Sequence, residues 1–356
     1  MAVIKQTNYH DEQDKTNILK MRAVLDTLPP FCKTFFRGIE EYTSARTRLA
    51  YAYDIRLFFE YLHEKNPIAG QMQIKDFPLS LLDELTRIDI EEYLEYMSLY
   101  QKDGRDISNA ERGKARKLAA LRSFYNYFYQ SEMLKNNPAA LVPLPKLHEK
   151  EIIRLEPNEV AILLDQVEDG TKLTKKELAY HKKTKVRDVA LLTLLLGTGI
   201  RVSECVGLDI KDINFDVCGI KIRRKGGYEA IVYFGNEVET ALLDYMEKRE
   251  HIIPAEGHEN ALFLSLQNRR ITVRAVELLV KKYSSRVTTL KKITPHKLRS
   301  TYGTNLYRES GDIYLVADVL GHKDVNTTRK HYAAQQDENR RRAAGYVHLR
   351  EKPREN

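Results

Sequence analysis

The sequence predicts a mainly α-helical protein of two domains, an all-helical domain followed by an α+β domain with a small antiparallel sheet. The chain of 356 residues is long enough for about two domains, each with its own core. Apolar and aromatic residues recur at three- and four-residue spacing over most of the chain, which is typical of helices that face a core. Three short alternating runs between residues 210 and 234, separated by turn residues, predict the sheet.

The first domain is predicted over residues 1–136. Its two longest helices are expected from Ser44 to Asn66 and from Ser108 to Met133, because each segment has helical apolar spacing behind a serine that can act as N-cap. Shorter helices are predicted at three further places, over residues 14–27, 31–41 and 89–100.

A linker is predicted over residues 137–154, where the sequence changes to N-P-A-A-L-V-P-L-P-K. Three prolines within eight residues disfavour a helix and favour an extended path. Two domains joined by an extended linker could surround a nucleic-acid duplex, whereas one compact domain would contact only one face of the duplex.

The second domain is predicted over residues 155–356. It begins with a helix from about Pro157, followed by an apolar helix around Val189 to Leu196. The three strands are predicted near residues 210–215, 219–224 and 229–234. Four more helices are expected over residues 236–250, 272–283, 294–308 and 312–320.

Charge and composition narrow the class of protein. A formal net charge of +8, mostly from residues after 150, favours an anionic partner such as DNA, although solvated lysines and arginines would give the same surplus. Three cysteines without metal-ligand spacing predict reduced thiols. The N-terminus lacks the apolar core of a secretory signal and the longest apolar stretch is far shorter than a membrane span, so we expect a cytoplasmic protein without membrane contact.

Six polar residues of the second domain predict a phosphoryl-transfer site that needs no metal or other cofactor. They stand in the contexts L-G-T-G-I-R, R-R-K-G-G, T-P-H-K-L-R, L-G-H and K-H-Y. Two arginines, a lysine and two histidines can hold the oxygens of a phosphodiester, and a phenol can be the nucleophile. The six are Arg201, Lys225, His296, Arg299, His322 and Tyr332.

Local sequence predicts how these side chains are presented. Glu204 lies one helical turn after Arg201 and can brace it, although a surface ion pair is the alternative. Thr294 and Pro295 have the pattern of an N-cap and first helical residue, which would place His296 and Arg299 on one helix face. Gly321 is predicted to end its helix in a left-handed turn just before His322.

This ordered series resembles the signature of the tyrosine recombinase (integrase) family, and the resemblance covers about residues 155–335. It implies the tyrosine recombinase fold and a 3′-phosphotyrosyl bond between DNA and Tyr332. It also implies that Lys225 protonates the departing 5′ oxygen, which needs a mobile turn such as Gly226 and Gly227 provide. Lys221, Arg223 and Arg224 are neighbouring alternatives for that lysine.

Two positions depart from the family pattern. Ser300 stands where the family usually has a histidine, at a position outside the catalytic set. Ten residues separate His322 from Tyr332, whereas nine is the commonest spacing, and His331 occupies the ninth position. Tyr332 remains the expected nucleophile because histidine cannot form the stable phosphotyrosine-type linkage. Asn326 or Thr327 is the expected cap of the helix that carries it.

The resemblance implies that the first domain is a helical, SAM-like core-binding domain that grips DNA. Basic residues near the starts of its two long helices are the candidate DNA contacts, with a merely solvated helix face as the alternative. These candidates are Arg46, Arg48, Lys114, Arg116 and Lys117.

Within the family, the sequence looks most like the Xer chromosome-dimer resolvases, especially the single-recombinase XerS group. That likeness implies a dif-like inverted-repeat site in double-stranded DNA, a homotetramer on paired sites, and a cell-division DNA translocase as a candidate partner. The C-terminal tail would dock on a neighbouring protomer through a small apolar face. The alternatives are the integrase or excisase of a mobile element, a type IB topoisomerase, and a catalytically silent architectural DNA-binding protein.

Overall fold

The computed structural model describes residues 8–146, 153–224, 226–322 and 324–326. The chain divides into two compact units, Met1–Lys150 and Glu151–Asn356. Both units are mainly helical in their described parts, and each contains one small antiparallel sheet. None of the described helices is long and apolar enough to span a membrane.

The first unit is built from helices around an aromatic core. Rings from three helices meet edge to face there, with 5.0 Å between the ring centroids of Phe35 and Phe124 and 6.1 Å between those of Phe59 and Phe124. Such pairs contribute about 0.5–1.5 kcal/mol each beyond the area they bury. The helices are α1 (Tyr9–Leu25), α2 (Phe31–Gly38), α3 (Ala45–Lys65), α4 (Leu81–Glu84), α5 (Arg87–Tyr96), α6 (Glu111–Gln130) and α7 (Pro138–Leu141).

One of the two predicted serine caps is wrong. Ser44 caps α3, accepting a hydrogen bond from the Thr47 amide at 3.2 Å. Ser108 caps nothing, because the hairpin of β1 (Tyr100–Lys102) and β2 (Arg105–Ile107) occupies the preceding residues and α6 begins at Glu111. The hairpin turns at Asp103–Gly104, where both residues have positive φ, as the commonest two-residue turns require.

The linker predicted from Asn137 does not begin as an extended strand. The Asn137 side chain accepts a hydrogen bond from the Ala140 amide, and Pro138 occupies the first turn, where a proline costs no hydrogen bond. Ala139 and Val142 are buried in the core of the first unit. Burial of these side chains therefore makes residues 138–141 a short helix of that unit.

The second unit surrounds one long central helix. Its elements are α8 (Pro157–Asp169), α9 (Lys175–Thr198), α10 (Val202–Gly207), β3 (Ile213–Asn214), β4 (Gly219–Arg223), β5 (Glu229–Tyr233), α11 (Asn236–Glu250), α12 (Val273–Ser284), α13 (Pro295–Ser310) and α14 (Ile313–Leu320). Helix α9 packs against α8, α11 and α13, and its last three turns bury Leu191, Leu194 and Leu195. The predicted apolar helix is the buried end of this longer helix.

The sheet of the second unit has the strand order β3-β4-β5, antiparallel throughout. Its first predicted strand is largely replaced by a 3₁₀ turn over Ile210–Asp212, because the carboxylate of Asp212 accepts a hydrogen bond from the Asp209 amide and turns the backbone. Pairing of Arg223 with Glu229 ends the β4–β5 ladder. Arg224 therefore lies at the start of the connecting turn.

Candidate active site

The site begins where α9 ends. Gly199 adopts a left-handed φ of 62°, which reverses the chain between α9 and α10. A Cβ atom at this residue would lie 2.4 Å from the ring of Tyr302, which belongs to α13. Glycine is therefore required both for its backbone conformation and for the close approach of α13. The next turn of chain presents Arg201.

Arg201 is held by Glu204, as the sequence predicted. One Glu204 oxygen accepts a hydrogen bond from the Arg201 backbone amide at 2.7 Å, and the other accepts from Nη1 at 2.7 Å. The Glu204 side chain is only 3% exposed, whereas that of Arg201 is 34% exposed. The pair is therefore a buried brace, since the carboxylate fixes the guanidinium and leaves part of it accessible.

Arg299 lies in α13 and is buried. Its Nη1 donates to the carbonyl oxygen of Gly199 at 2.6 Å, and its Nη2 donates to the carbonyl oxygen of Leu320. His296 lies one turn earlier in the same helix and is exposed. Thr294 is the N-cap residue and Pro295 the first helical residue, so the expected presentation of His296 and Arg299 from one helix start is confirmed.

Helix α14 ends as the L-G-H motif predicts. Gly321 has a φ of 61°, and the His322 amide donates to the carbonyl oxygen of Ala317 at 2.9 Å. Nη2 of Arg201 lies 3.5 Å from the carbonyl oxygen of Gly321. His322 is half-buried beside this helix end, so the same turn of chain that meets Arg201 and Arg299 also positions the histidine.

A third arginine, Arg224, reaches the same helix end. Its Nη2 donates to the carbonyl oxygen of Val319 at 2.8 Å. Three consecutive carbonyl groups at the end of α14 thus accept from three arginines. The C-terminus of a helix carries partial negative charge, which favours cations there. The sequence offered Arg224 merely as an alternative to Lys225, and no local signal distinguished it.

Burial and nearby charges have opposite effects on the pKa of Arg224. Burial has the largest effect and lowers the pKa of the guanidinium; Glu204 and Asp318 raise this pKa, and the positive charge of Arg201 lowers it. The described part of the site is therefore rich in positive charge with one buried carboxylate. Such an arrangement can bind an anion that bears several acceptor oxygens.

The described residues account for four of the six predicted catalytic positions. Arg201, Arg299 and His322 are brought to one place, and His296 lies one turn from Arg299. Lys225, Tyr332 and the neighbouring His331 lie outside the described residues, as does Thr327. Among the described residues after His322, the carboxylate of Asp324 accepts a hydrogen bond from the Asn326 amide at 2.9 Å.

No group of three or more metal-ligating side chains occurs among the residues that the structure describes. Lys221, another alternative to Lys225, is 54% exposed and pairs with Glu229 on the neighbouring strand. Its ammonium group is therefore engaged on the surface of the sheet.

The candidate DNA contacts of the first unit differ in burial. The prediction that Arg48 contacts DNA is wrong. Its side chain is only 6% exposed and donates to the carbonyl oxygens of Glu40 at 2.8 Å and Thr43 at 2.7 Å. It joins α3 to the segment after α2 and is not available to a phosphate. Arg46, two residues earlier, is exposed.

The basic residues of α6 are partly engaged as well. Arg116 and Lys117 both contact the carboxylate of Asp54, which is 2% exposed, and Lys114 donates to Ser98. Lys117 is mostly buried in this contact, whereas half of the Arg116 side chain is exposed. Buried Asp54 therefore neutralises part of the basic face that the sequence predicted.

Comparison with known proteins identifies relatives along most of the chain. A model of the phage integrase family matches residues 154–339. The tyrosine recombinase XerC of Caldanaerobacter subterraneus is 33% identical over 314 residues, covering 85% of this chain and 82% of that protein. The tyrosine recombinase XerS of Streptococcus agalactiae is also 33% identical over 314 residues, covering 80% and 86%.

Solved structures share the fold. The XerH recombinase bound to a palindromic difH substrate superposes with a TM-score of 0.64 at 20% identity, covering 83% of this chain and 80% of that one. The Tn1549 transposon integrase in complex with circular intermediate DNA gives a TM-score of 0.61 at 21% identity, covering 88% and 99%. These likenesses establish a shared architecture.

Proposed function

The chain belongs to the phage integrase family of tyrosine recombinases, which are site-specific enzymes that cleave and rejoin DNA, and we propose that it resolves chromosome dimers. Its substrate would be an inverted-repeat, dif-like site in double-stranded DNA. The observation that carries the proposed cleavage and rejoining of DNA is the convergence of Arg201, Arg299 and His322 on the end of α14.

The cleavage step follows from the chemistry of these residues. The phenol oxygen of Tyr332 attacks the phosphorus of one DNA phosphodiester and forms an O–P bond, while the bond from phosphorus to the 5′ oxygen breaks. Lys225 gives its proton to that departing oxygen. Arg201 and Arg299 stabilise the charge on the non-bridging oxygens. His296 and His322 donate to the phosphate or relay the proton of the phenol.

Rejoining reverses these events. The new phosphotyrosyl bond conserves the energy of the original phosphodiester, so the 5′ hydroxyl of a partner strand can displace Tyr332 without ATP. The hydroxyl proton returns to Lys225, and the phenol is released. In this mechanism, cationic side chains take the charge-stabilising part that metal ions play in other nucleases.

Basic residues of the first unit would supply part of the DNA grip. Arg46 is exposed, and Arg116 is half exposed even though it contacts Asp54. Each phosphate contact adds non-specific affinity by releasing condensed counterions. The XerH and Tn1549 relatives are solved as DNA complexes, which supports DNA as the partner. Four protomers on two paired sites, acting in the cytoplasm, complete the proposal.

The identities to XerC and XerS favour dimer resolution over the integration or excision of a mobile element. The XerC and XerS proteins are 33% identical to this chain over at least four fifths of both lengths. A division translocase remains a proposed activating partner, and an integrase or excisase function remains the second candidate.

The chemical part of the proposal is tested with a suicide DNA substrate, from which the cleaved end diffuses away. We expect the wild-type protein to accumulate a covalent adduct that peptide mass spectrometry maps to Tyr332. Tyr332→Phe should bind the same DNA and form no adduct, because a single hydroxyl is lost and the cations remain. The control is His331→Ala, which should still form the adduct. An adduct on His331 or another tyrosine would refute the assignment.

The biological part is tested by the target. Covalent capture from fragmented host DNA should enrich one inverted-repeat locus per chromosome, and loss of the gene should give chained cells with unsegregated chromosomes. Enrichment of the ends of a mobile element, with normal segregation in the deletion strain, would favour the second candidate.

A further inference from the structure

The side chain of Arg224 attaches the turn between β4 and β5 to α14. Nη2 of Arg224 donates to the carbonyl oxygen of Val319 at 2.8 Å. The backbone of the same residue closes the turn, since its amide donates to the carbonyl oxygen of Tyr228 at 2.7 Å and its carbonyl oxygen accepts from Gly227 at 3.1 Å. Arg224 therefore belongs to both the turn and the helix end.

The guanidinium of Arg224 lies directly against the backbone of Gly321. A Cβ atom built on Gly321 would lie 1.4 Å from Nη1 of Arg224 and 2.4 Å from its Cζ. Any other residue at 321 would have to displace this arginine. Two constraints thus require glycine in the L-G-H motif, namely its φ of 61° and the contact with Arg224.

Nη1 of Arg224 is buried and has no hydrogen-bond partner among the residues that the structure describes. Leaving a buried donor unpaired destabilises the folded protein, because the donor has given up its hydrogen bonds to water. Glu204 attracts Arg224, and Arg201 repels it. A residue that served α14 alone could avoid the unpaired donor, so the position of Arg224 calls for a role in the site.

Connectivity suggests that role. Lys225, the proposed acid for the leaving group, is the next residue in the chain. Gly226 and Gly227 follow with φ values of 95° and 84°, a conformation that favours glycine and leaves no side chain on this part of the turn to fix it. The contact of Arg224 with Val319 is a rigid attachment on the near side. It lies three residues before His322, which the same helix end positions.

We infer that Arg224 is a positioning residue for the leaving-group acid. It fixes the β4–β5 turn to the end of α14, so that Lys225 and His322 act on the same phosphodiester of the DNA. The inference rests on the proposed function, because it assigns Lys225 the protonation step. Arg224 itself touches neither the leaving oxygen nor the phosphorus.

The test compares two substrates in single-turnover cleavage by the full-length protein. One substrate has the normal 5′ oxygen at the scissile bond, and the other has a 5′-bridging sulfur, whose thiolate leaves without a proton. Arg224→Met, which keeps length and removes the guanidinium, is compared with Lys225→Ala. The control is Lys221→Met, because Lys221 is exposed on the same hairpin and pairs with Glu229.

If Arg224 acts through Lys225, Arg224→Met should slow the oxygen substrate by at least ~10-fold, within the ~10²-fold or greater loss expected for a missing general acid. It should cleave the sulfur substrate at nearly the wild-type rate. The double variant should be no slower than Lys225→Ala alone, because both changes remove the same step. Lys221→Met should match the wild type on both substrates.

Three results would overturn the inference. Equal slowing of both substrates would mean that Arg224 contacts the phosphate or serves folding alone. Additive losses in the double variant would separate the two residues, and an unchanged oxygen rate would remove the role. Should Arg224→Met melt below the assay temperature, the same comparison is made for all variants at a temperature below its melting point. Failure of the wild-type protein to cleave either substrate would instead refute the proposed function.

Discussion

Nη1 of Arg299 lies 2.6 Å from the carbonyl oxygen of Gly199, so a buried arginine of α13 closes the end of α9. The other terminal nitrogen of Arg299 donates to Leu320 at the end of α14. Arg299 therefore joins three helices as well as supplying positive charge to the site. A substitution there changes both the fold and the proposed chemistry, whereas one at Arg201 changes chiefly the chemistry.

This difference gives a first prediction. Arg201→Ala and Arg299→Ala should each slow cleavage by at least ~10²-fold, as for loss of a donor to a developing oxyanion. Arg299→Ala should also lower the melting temperature clearly more than Arg201→Ala, because it leaves two buried carbonyl groups without their donor. Single-turnover cleavage and thermal melts measure the two effects. Lys292→Ala, exposed just before α13, is the control. Equal melting temperatures for the two arginine variants would contradict the bridging role.

A second prediction separates Arg46 from Arg48. Arg48→Ala should lower the free energy of unfolding by about 1–3 kcal/mol, because its buried guanidinium holds the carbonyl groups of Glu40 and Thr43. Arg46→Ala should leave stability unchanged and reduce the salt dependence of DNA binding by about one counterion. Denaturant unfolding and salt titrations of binding check this pair. An unchanged salt slope for Arg46→Ala would place the DNA contact elsewhere.

A third prediction concerns divalent metal. Cleavage should proceed at the same rate with excess EDTA as with Mg²⁺, because arginine, lysine and histidine side chains carry the proposed charge stabilisation. The measurement is adduct formation on the suicide substrate after dialysis against chelator. A requirement for added metal would contradict the mechanism.

A fourth prediction concerns the C-terminal tail, which lies outside the described residues. Its apolar residues between 343 and 349 could dock on a neighbouring protomer, so deletion of residues 340–356 should weaken cooperative binding of the second protomer. Binding to a single half-site should be retained. Gel-shift titrations on half and full sites measure this difference. Normal pairing and recombination by the truncated protein would show that the tail is a solvated end.

Local sequence predicted most helices because capping and periodicity act over a few residues. Thr294, Pro295 and Gly321 occupy their predicted positions for that reason. The hairpin over 100–107 was missed although Asp103–Gly104 is a known turn pair, because its strands are too short to give a period. The basic residues near the start of α3 looked alike in sequence, and only tertiary contacts bury Arg48 and expose Arg46.

The chemical class of the site could be predicted from the sequence, because its motifs contain residue types that bind a phosphate. The brace of Arg201 by Glu204 followed from their spacing along the chain. The contact of Arg224 with the end of α14 could not be predicted, because its partner Val319 is 95 residues away in sequence. The roles of Lys225 and Tyr332 remain predictions.

The dependence of three arginines on one short helix sets a thermal limit on the enzyme. Helix α14 has eight residues, and Val316 and Leu320 pack with Tyr307 in a small cluster of their own. Short elements with few buried contacts open at lower free energy than the domain that carries them. Each opening would break one hydrogen bond of each of the three guanidinium groups at the same time. Heat should therefore inactivate the enzyme reversibly below the temperature at which the central helix α9 unfolds.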